Sequence, residues 1–74
     1  MEEAYVCVNA VPGQERKAML AILEVAGVEK AEGVYGVYDL IVRICAPDLK
    51  AIESAVHRIR SNHSVMGTFT MNVI

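Results

Sequence analysis

The sequence predicts an α+β domain with the element order βαββαβ. Three observations carry that prediction. Two stretches with apolar residues at helical spacing, over residues 14–26 and from Asp48 onward, each lie between segments rich in short, β-branched or aromatic residues. A glycine-led pair, Gly36-Val37, separates the second strand segment from the third. Residues 67–74 alternate Thr68, Thr70 and Asn72 with Phe69, Met71 and Val73, the period of a half-polar final strand.

The first strand is read over residues 4–10 and is ended by Pro12-Gly13. A helix over residues 14–26 follows, with Ala18, Met19, Ile22, Leu23 and Ala26 on its apolar side and Glu15, Arg16, Lys17 and Glu24 facing water. Gly27 is its stop. Residues 28–35 carry more charge than the first strand, as an edge strand does, with Val28, Lys30 and Glu32 opposed to Glu29, Ala31 and Gly33. A two-residue link led by Gly36 has the composition of a type II′ turn, which pairs this strand with residues 38–45 and sets Asp39 just past the turn. Asp48 is a candidate N-cap, or an acid in the first turn if Pro47 takes the first helical position. Leu49, Ile52, Val56 and Ile59 form the apolar stripe of the second helix, and Arg58 and Arg60 stand near its C-terminal end, where the helix dipole favours cations.

Two right-handed crossovers of helical length give a ferredoxin-like sandwich: a four-stranded antiparallel sheet in the order 4-1-3-2, both helices on one face. Strands one and three are expected side by side in the centre and, across those crossovers, parallel. No linker, repeat or low-complexity segment interrupts residues 1–74, which read as one ligand-binding and oligomerisation domain.

A chain of 74 residues buries only about 60% of the surface it would expose unfolded. Yet 54% of the residues are hydrophobic and 22% charged, more apolar surface than a small monomer needs to hide. Two helices cover one face of a sheet, and the central strand is apolar at most positions of both parities. The open face is therefore expected to be buried against another copy, giving a homodimer.

Net charge is −2, and the Lys and Arg residues are scattered among nine acids, so no basic stripe follows phosphates and direct nucleic-acid binding is not expected. Met1-Glu2-Glu3 is opposite in charge to a secretory n-region, and no apolar run reaches the roughly 18 residues of a membrane span; a cytoplasmic protein without membrane contact is the expectation. Cys7 and Cys45 read as small core thiols, and neither a C-x-x-C pair nor a zinc ligand set is present. Met19 and Met71 read as core fillers. His57 and His63 stand about 240° apart on a helix, so they share no face as metal ligands, and no nucleophile motif accompanies them. No metal, cofactor or catalytic residue is expected.

Over nearly its whole length the chain resembles the C-terminal effector-binding domain of the Lrp/AsnC, or feast/famine, regulators. The resemblance rests on Ala4-Tyr5-Val6 with Pro12-Gly13, Gly27-Val28, Tyr35-Gly36-Val37-Tyr38-Asp39-Leu40, and Thr68-Phe69-Thr70-Met71. It implies dimers packed sheet to sheet, assembly into a ring such as an octamer, and amino-acid effectors bound where dimers meet. It assigns ligand contact to Gly36, Tyr38, Asp39, Thr68 and Thr70. Val37 departs from the acid or other polar residue that often follows the hairpin glycine. The family's helix-turn-helix has no counterpart before Ala4, so the expected role is that of a stand-alone amino-acid sensor acting on transcription through assembly with full-length, DNA-binding relatives.

The residues support ligand contact independently: Asp39 offers a carboxylate to an ammonium, and N–H groups around Gly36 can donate to a carboxylate. The competing role of Asp39 is to accept backbone amides at the hairpin end. Two other functions suit the fold: a cofactor-free dimeric α+β barrel enzyme, requiring a His or Trp in a cavity between sheet and helices, and a ligand-free interaction subunit.

Overall fold

The computed structural model describes residues 1–74. The chain runs β1 (Glu2–Ala10), α1 (Glu15–Ile22), β2 (Val28–Gly33), β3 (Leu40–Ala46), α2 (Leu49–Arg60) and β4 (Val65–Asn72). The sheet order is β2-β3-β1-β4, the expected 4-1-3-2 read from the other edge, with both helices on one face. Strands β1 and β3 are adjacent in the centre but antiparallel, correcting the expectation of a parallel pair. Each helical crossover skips a strand: β1 and β2 are the parallel partners and β3 fits between them, so every neighbouring pair is antiparallel.

Parity divides the two central strands. Ala4, Val6, Val8 and Ala10 of β1 and Leu40, Val42, Ile44 and Ala46 of β3 point toward the helices and are buried. Against them pack Ala18 and Ile22 of α1 and Ile52, Ala55 and Ile59 of α2. Burying a side chain such as Leu40 is worth about 1.5–3 kcal/mol, and this one layer holds the fold together.

Asp48 is the N-cap of α2, with extended backbone and its Oδ1 accepting the N–H of Ala51 at 2.9 Å. Leu49 does not belong to the buried stripe: it is exposed, and Ala55 takes its place. Helix α1 ends at Ile22 rather than residue 26. Beyond it the chain tightens into i→i−3 bonds, Glu24 to Ala21 and Val25 to Ile22, and then turns at Gly27 with φ 95°. There the carbonyl of Gly27 accepts the N–H of Cys45, so the chain must leave the helix early enough to reach β3.

The β2–β3 connection also differs from expectation. The link is residues 34–39, closed by Val34 donating to the carbonyl of Asp39 at 2.9 Å, in place of a two-residue Gly36-Val37 turn. Gly36 lies at its tip with φ 135°, a conformation that favours glycine. A register shift between Val28 and Lys30 breaks the simple alternation of β2, so that Val28 and Ala31 both pack on the core. Strand β4 begins earlier than expected, at Val65, opposite Ala10.

Candidate functional site

Asp39 stands where β3 enters the sheet, beside the end of β1. Its N–H donates to the carbonyl of Val8 at 2.9 Å, and its Oδ2 accepts the N–H of Ala10 at 2.8 Å. That second bond lies just past the end of the β1–β3 ladder at Val8↔Leu40, where β1 runs beyond β3 and the Ala10 amide has no strand partner on that side. Asp39 therefore does serve a backbone amide, though one on β1 and not in its own hairpin. The other oxygen, Oδ1, has no donor in the protomer.

The half-buried Asp39 also lines an open cleft of roughly 600 Å³ between the start of α1 and the hairpin. Glu15, Arg16 and Met19 form the helix side, and Gly33, Val34 and Tyr35 the hairpin side. Arg16, Glu15 and Asp39 are in no ion pair, so one cleft presents one cation and two carboxylates over an apolar wall, Glu15 Oε2 accepting the N–H of Gly13 at 3.3 Å. Such a surface matches a zwitterion with an apolar side chain. In sequence Arg16 belongs to a solvated helix flank; only the fold of the hairpin over α1 brings it near Asp39, and no local pattern signals that.

The other expected site residues are dispersed. Gly36 is exposed at the tip of the hairpin, with nothing within 4 Å of a side chain built there. Tyr38 is half-buried and lines none of the larger clefts. Thr68 and Thr70 pair with Val8 and Val6, on the helix side of β4, and β1 separates them from β3. Thr68 borders a cleft with Arg60 and Met66, whereas Thr70 borders another with Glu53, His57 and Asn72. No cleft of one protomer holds Asp39 together with either threonine. His57 is exposed in that polar cleft and does not enter an apolar cavity.

The open face of the sheet has two parts. Tyr5, Ile41, Phe69 and Met71 form the apolar part, Phe69 being 54% and Met71 44% exposed, so Met71 is not a core filler in the protomer. Cys7, only 7% exposed, lies among them opposite Ile41 and Phe69. Beside them Arg43 bridges two strands, donating from Nη2 to Glu3 and from Nη1 to Glu29, each at 2.6 Å. Its Nε is buried without a partner. The hydrogen bond to Glu3, then the nearby Cys45 and Glu29, hold the Arg43 guanidinium protonated above its ordinary range. Burial pushes the Cys45 thiol up, and Glu29 adds to that more than Arg43 takes away. Both cysteines are free thiols.

No helix is long and apolar enough to cross a membrane. A family model, the Lrp/AsnC ligand binding domain, matches residues 3–74. Among solved structures, FFRP-DM1 is 33% identical, each chain fully covering the other, with a TM-score of 0.93. The hypothetical protein PHS023 from Pyrococcus horikoshii is also 33% identical, with all of this chain and 90% of that one covered and a TM-score of 0.91. A feast or famine regulatory protein from M. tuberculosis complexed with L-methionine shares the fold at 21% identity and a TM-score of 0.83, all of this chain matching 50% of that one. No curated protein sequence matches the chain.

Proposed function

The chain belongs to the Lrp/AsnC ligand-binding-domain family, and from that premise we propose that it is an amino-acid-sensing regulatory module without catalytic activity. The observation that carries this reading is the cleft in which Asp39 and Arg16 stand unpaired. The ammonium of an α-amino acid pairs with the Asp39 carboxylate through Oδ1, since Oδ2 is held by Ala10. Its carboxylate pairs with the Arg16 guanidinium, and its side chain lies on Met19, Val34 and Tyr35. Amino-acid binding by a fold relative, the M. tuberculosis protein complexed with L-methionine, is consistent with this assignment.

The module works as an oligomer in this reading. Two open sheet faces pack together through Tyr5, Ile41, Phe69 and Met71, and the dimers join into a ring such as an octamer. Tyr35, fully exposed at the hairpin, and the separated Thr68 and Thr70 then line contacts between copies, where Gly36 and Tyr38 join the effector site. A ligand at such a contact shifts assembly by its differential affinity for the joined and separate states. The domain works in the cytoplasm, binds no DNA itself and acts on transcription by co-assembling with full-length relatives.

Isothermal titration with each of the twenty amino acids tests the sensor. At least one is expected to bind, and Arg16→Ala and Asp39→Asn are each expected to weaken it about tenfold or more. Absence of binding by all of them rejects the sensor and leaves an assembly subunit.

A further inference from the structure

A second cleft, of roughly 500 Å³, opens on the helix side of the molecule. Lys17 and Ala21 of α1 and Val25 form one wall; Arg58 and residues 61–64, around the C-terminal end of α2, form the other. Its charged lining residues are Lys17 and Arg58, joined by His63, and no carboxylate borders it, although the chain as a whole is acidic with net charge −2. Neither Lys17 nor Arg58 is in an ion pair. The negative end of the α2 dipole accounts for Arg58 and also works against an anion there, so the formal charges of Lys17 and Arg58 have to outweigh a partial charge of about −0.5. It does not account for Lys17, which reaches the same space from the other helix.

The floor of this cleft is satisfied without those cations. Ser61 Oγ donates to the carbonyl of Arg58 at 3.0 Å, and Ser64 Oγ donates to Gln14 Oε1 at 2.9 Å. Asn62 Oδ1 accepts the N–H of Ser64 at 2.8 Å, which fixes the amide and leaves the donors of Nδ2 free. Ser64, 2% exposed, anchors this corner in the core. What remains to meet a ligand is a set of donors and cations: the Lys17 ammonium, the Arg58 guanidinium, Asn62 Nδ2 and the His63 ring. Like charges drawn together repel, and a multivalent anion relieves that repulsion while satisfying the donors.

We propose that this cleft is an anion site that takes a diphosphate or triphosphate group, separate from the cleft beside Asp39. The Arg58 fork and the Lys17 point charge grip the phosphate oxygens from opposite walls, and Asn62 donates from the rigid floor. The volume falls within the roughly 300–1,000 Å³ of small-molecule sites, which leaves space for a group attached to the phosphates.

The test is an NMR titration of the whole chain with sodium pyrophosphate and with adenosine diphosphate, against sodium sulfate at equal ionic strength. Saturable shifts centred on Arg58, Asn62 and His63, with a dissociation constant of about 1 mM or tighter, are expected. The double variant K17E/R58E is expected to weaken binding at least about tenfold, and Lys50→Glu, on the exposed first turn of α2 outside the cleft, less than about twofold. Lys17→Ala and Arg58→Ala singly give the same readout with a smaller change of charge. Equal affinity for the two phosphates supports a site that reads the phosphates alone; tighter binding of the nucleotide supports a nucleotide site. Either absence of saturation, or sulfate reproducing the response, or Lys50→Glu weakening it as much as the double variant, overturns the proposal.

Discussion

The carboxylate of Asp39 accepts the backbone N–H of Ala10 at 2.8 Å, joining the mouth of β3 to the end of β1 with one oxygen and leaving the other free. The same side chain therefore serves a fold role and is available for a ligand role, and substitutions separate the two. Asp39→Ala leaves the amide of Ala10 without its partner and is expected to lower stability by about 1–3 kcal/mol in urea unfolding. Asp39→Asn keeps an oxygen acceptor but no charge. It is expected to lose less than about 1 kcal/mol of stability while still abolishing most amino-acid affinity. Equal loss of stability in both variants would contradict this division.

The open face carries its own prediction. Phe69→Glu places a charge among Tyr5, Ile41 and Met71, on the side of the sheet away from the helices. In sedimentation velocity the parent chain is expected to run as a dimer or larger at micromolar concentration and this variant as an 8.1 kDa protomer with unchanged circular dichroism. A parent chain that sediments as the protomer would contradict the proposed pairing of sheets.

Cys45 gives a prediction in pH. Its thiol is pushed above the ordinary value of 9.0, first by burial and then by Glu29. A raised folded-state pKa favours the neutral thiol in the fold, so this contribution to stability is complete below about pH 9 and is lost as pH rises through the higher folded value. Alkylation of Cys45 by iodoacetamide is expected to stay slow at pH 8 and to accelerate only above the pH at which a free thiol does. Fast alkylation at pH 8 would contradict the assignment.

The cap of α2 is a local prediction. Asp48→Ala removes the acceptor for Ala51 and is expected to cost about 1 kcal/mol, whereas Asp48→Ser is expected to cost little. Thermal unfolding of the two variants measures the difference.

Much of this architecture is legible in the sequence because it is written in local period. The short, β-branched and aromatic residues of β1 and β3 and the spacing of Ile52 and Ile59 give the elements, and the two crossovers give the sheet order. The errors fall where a distant contact decides. Composition suggests a turn at Gly36-Val37, but the link extends to Asp39, whose backbone is claimed by Val8 and whose side chain is claimed by Ala10. Helix α1 has the composition to continue past Ile22, yet Gly27 must meet Cys45 on β3. Asp39 is legible as an acid at the mouth of an apolar strand, whereas Arg16, on a flank indistinguishable from other solvated turns, neighbours it only through the fold. The dispersal of Thr68 and Thr70 from Asp39 follows from β1 lying between their strands, as the expected order 4-1-3-2 already implies.

A crystal structure of the chain with the amino acid that binds most tightly in titration shows whether Asp39 and Arg16 hold it. Its ammonium is expected within hydrogen-bonding distance of Asp39 Oδ1 and its carboxylate on the Arg16 guanidinium, with a second copy of the chain closing the cleft. An amino acid bound away from both side chains would contradict this placement.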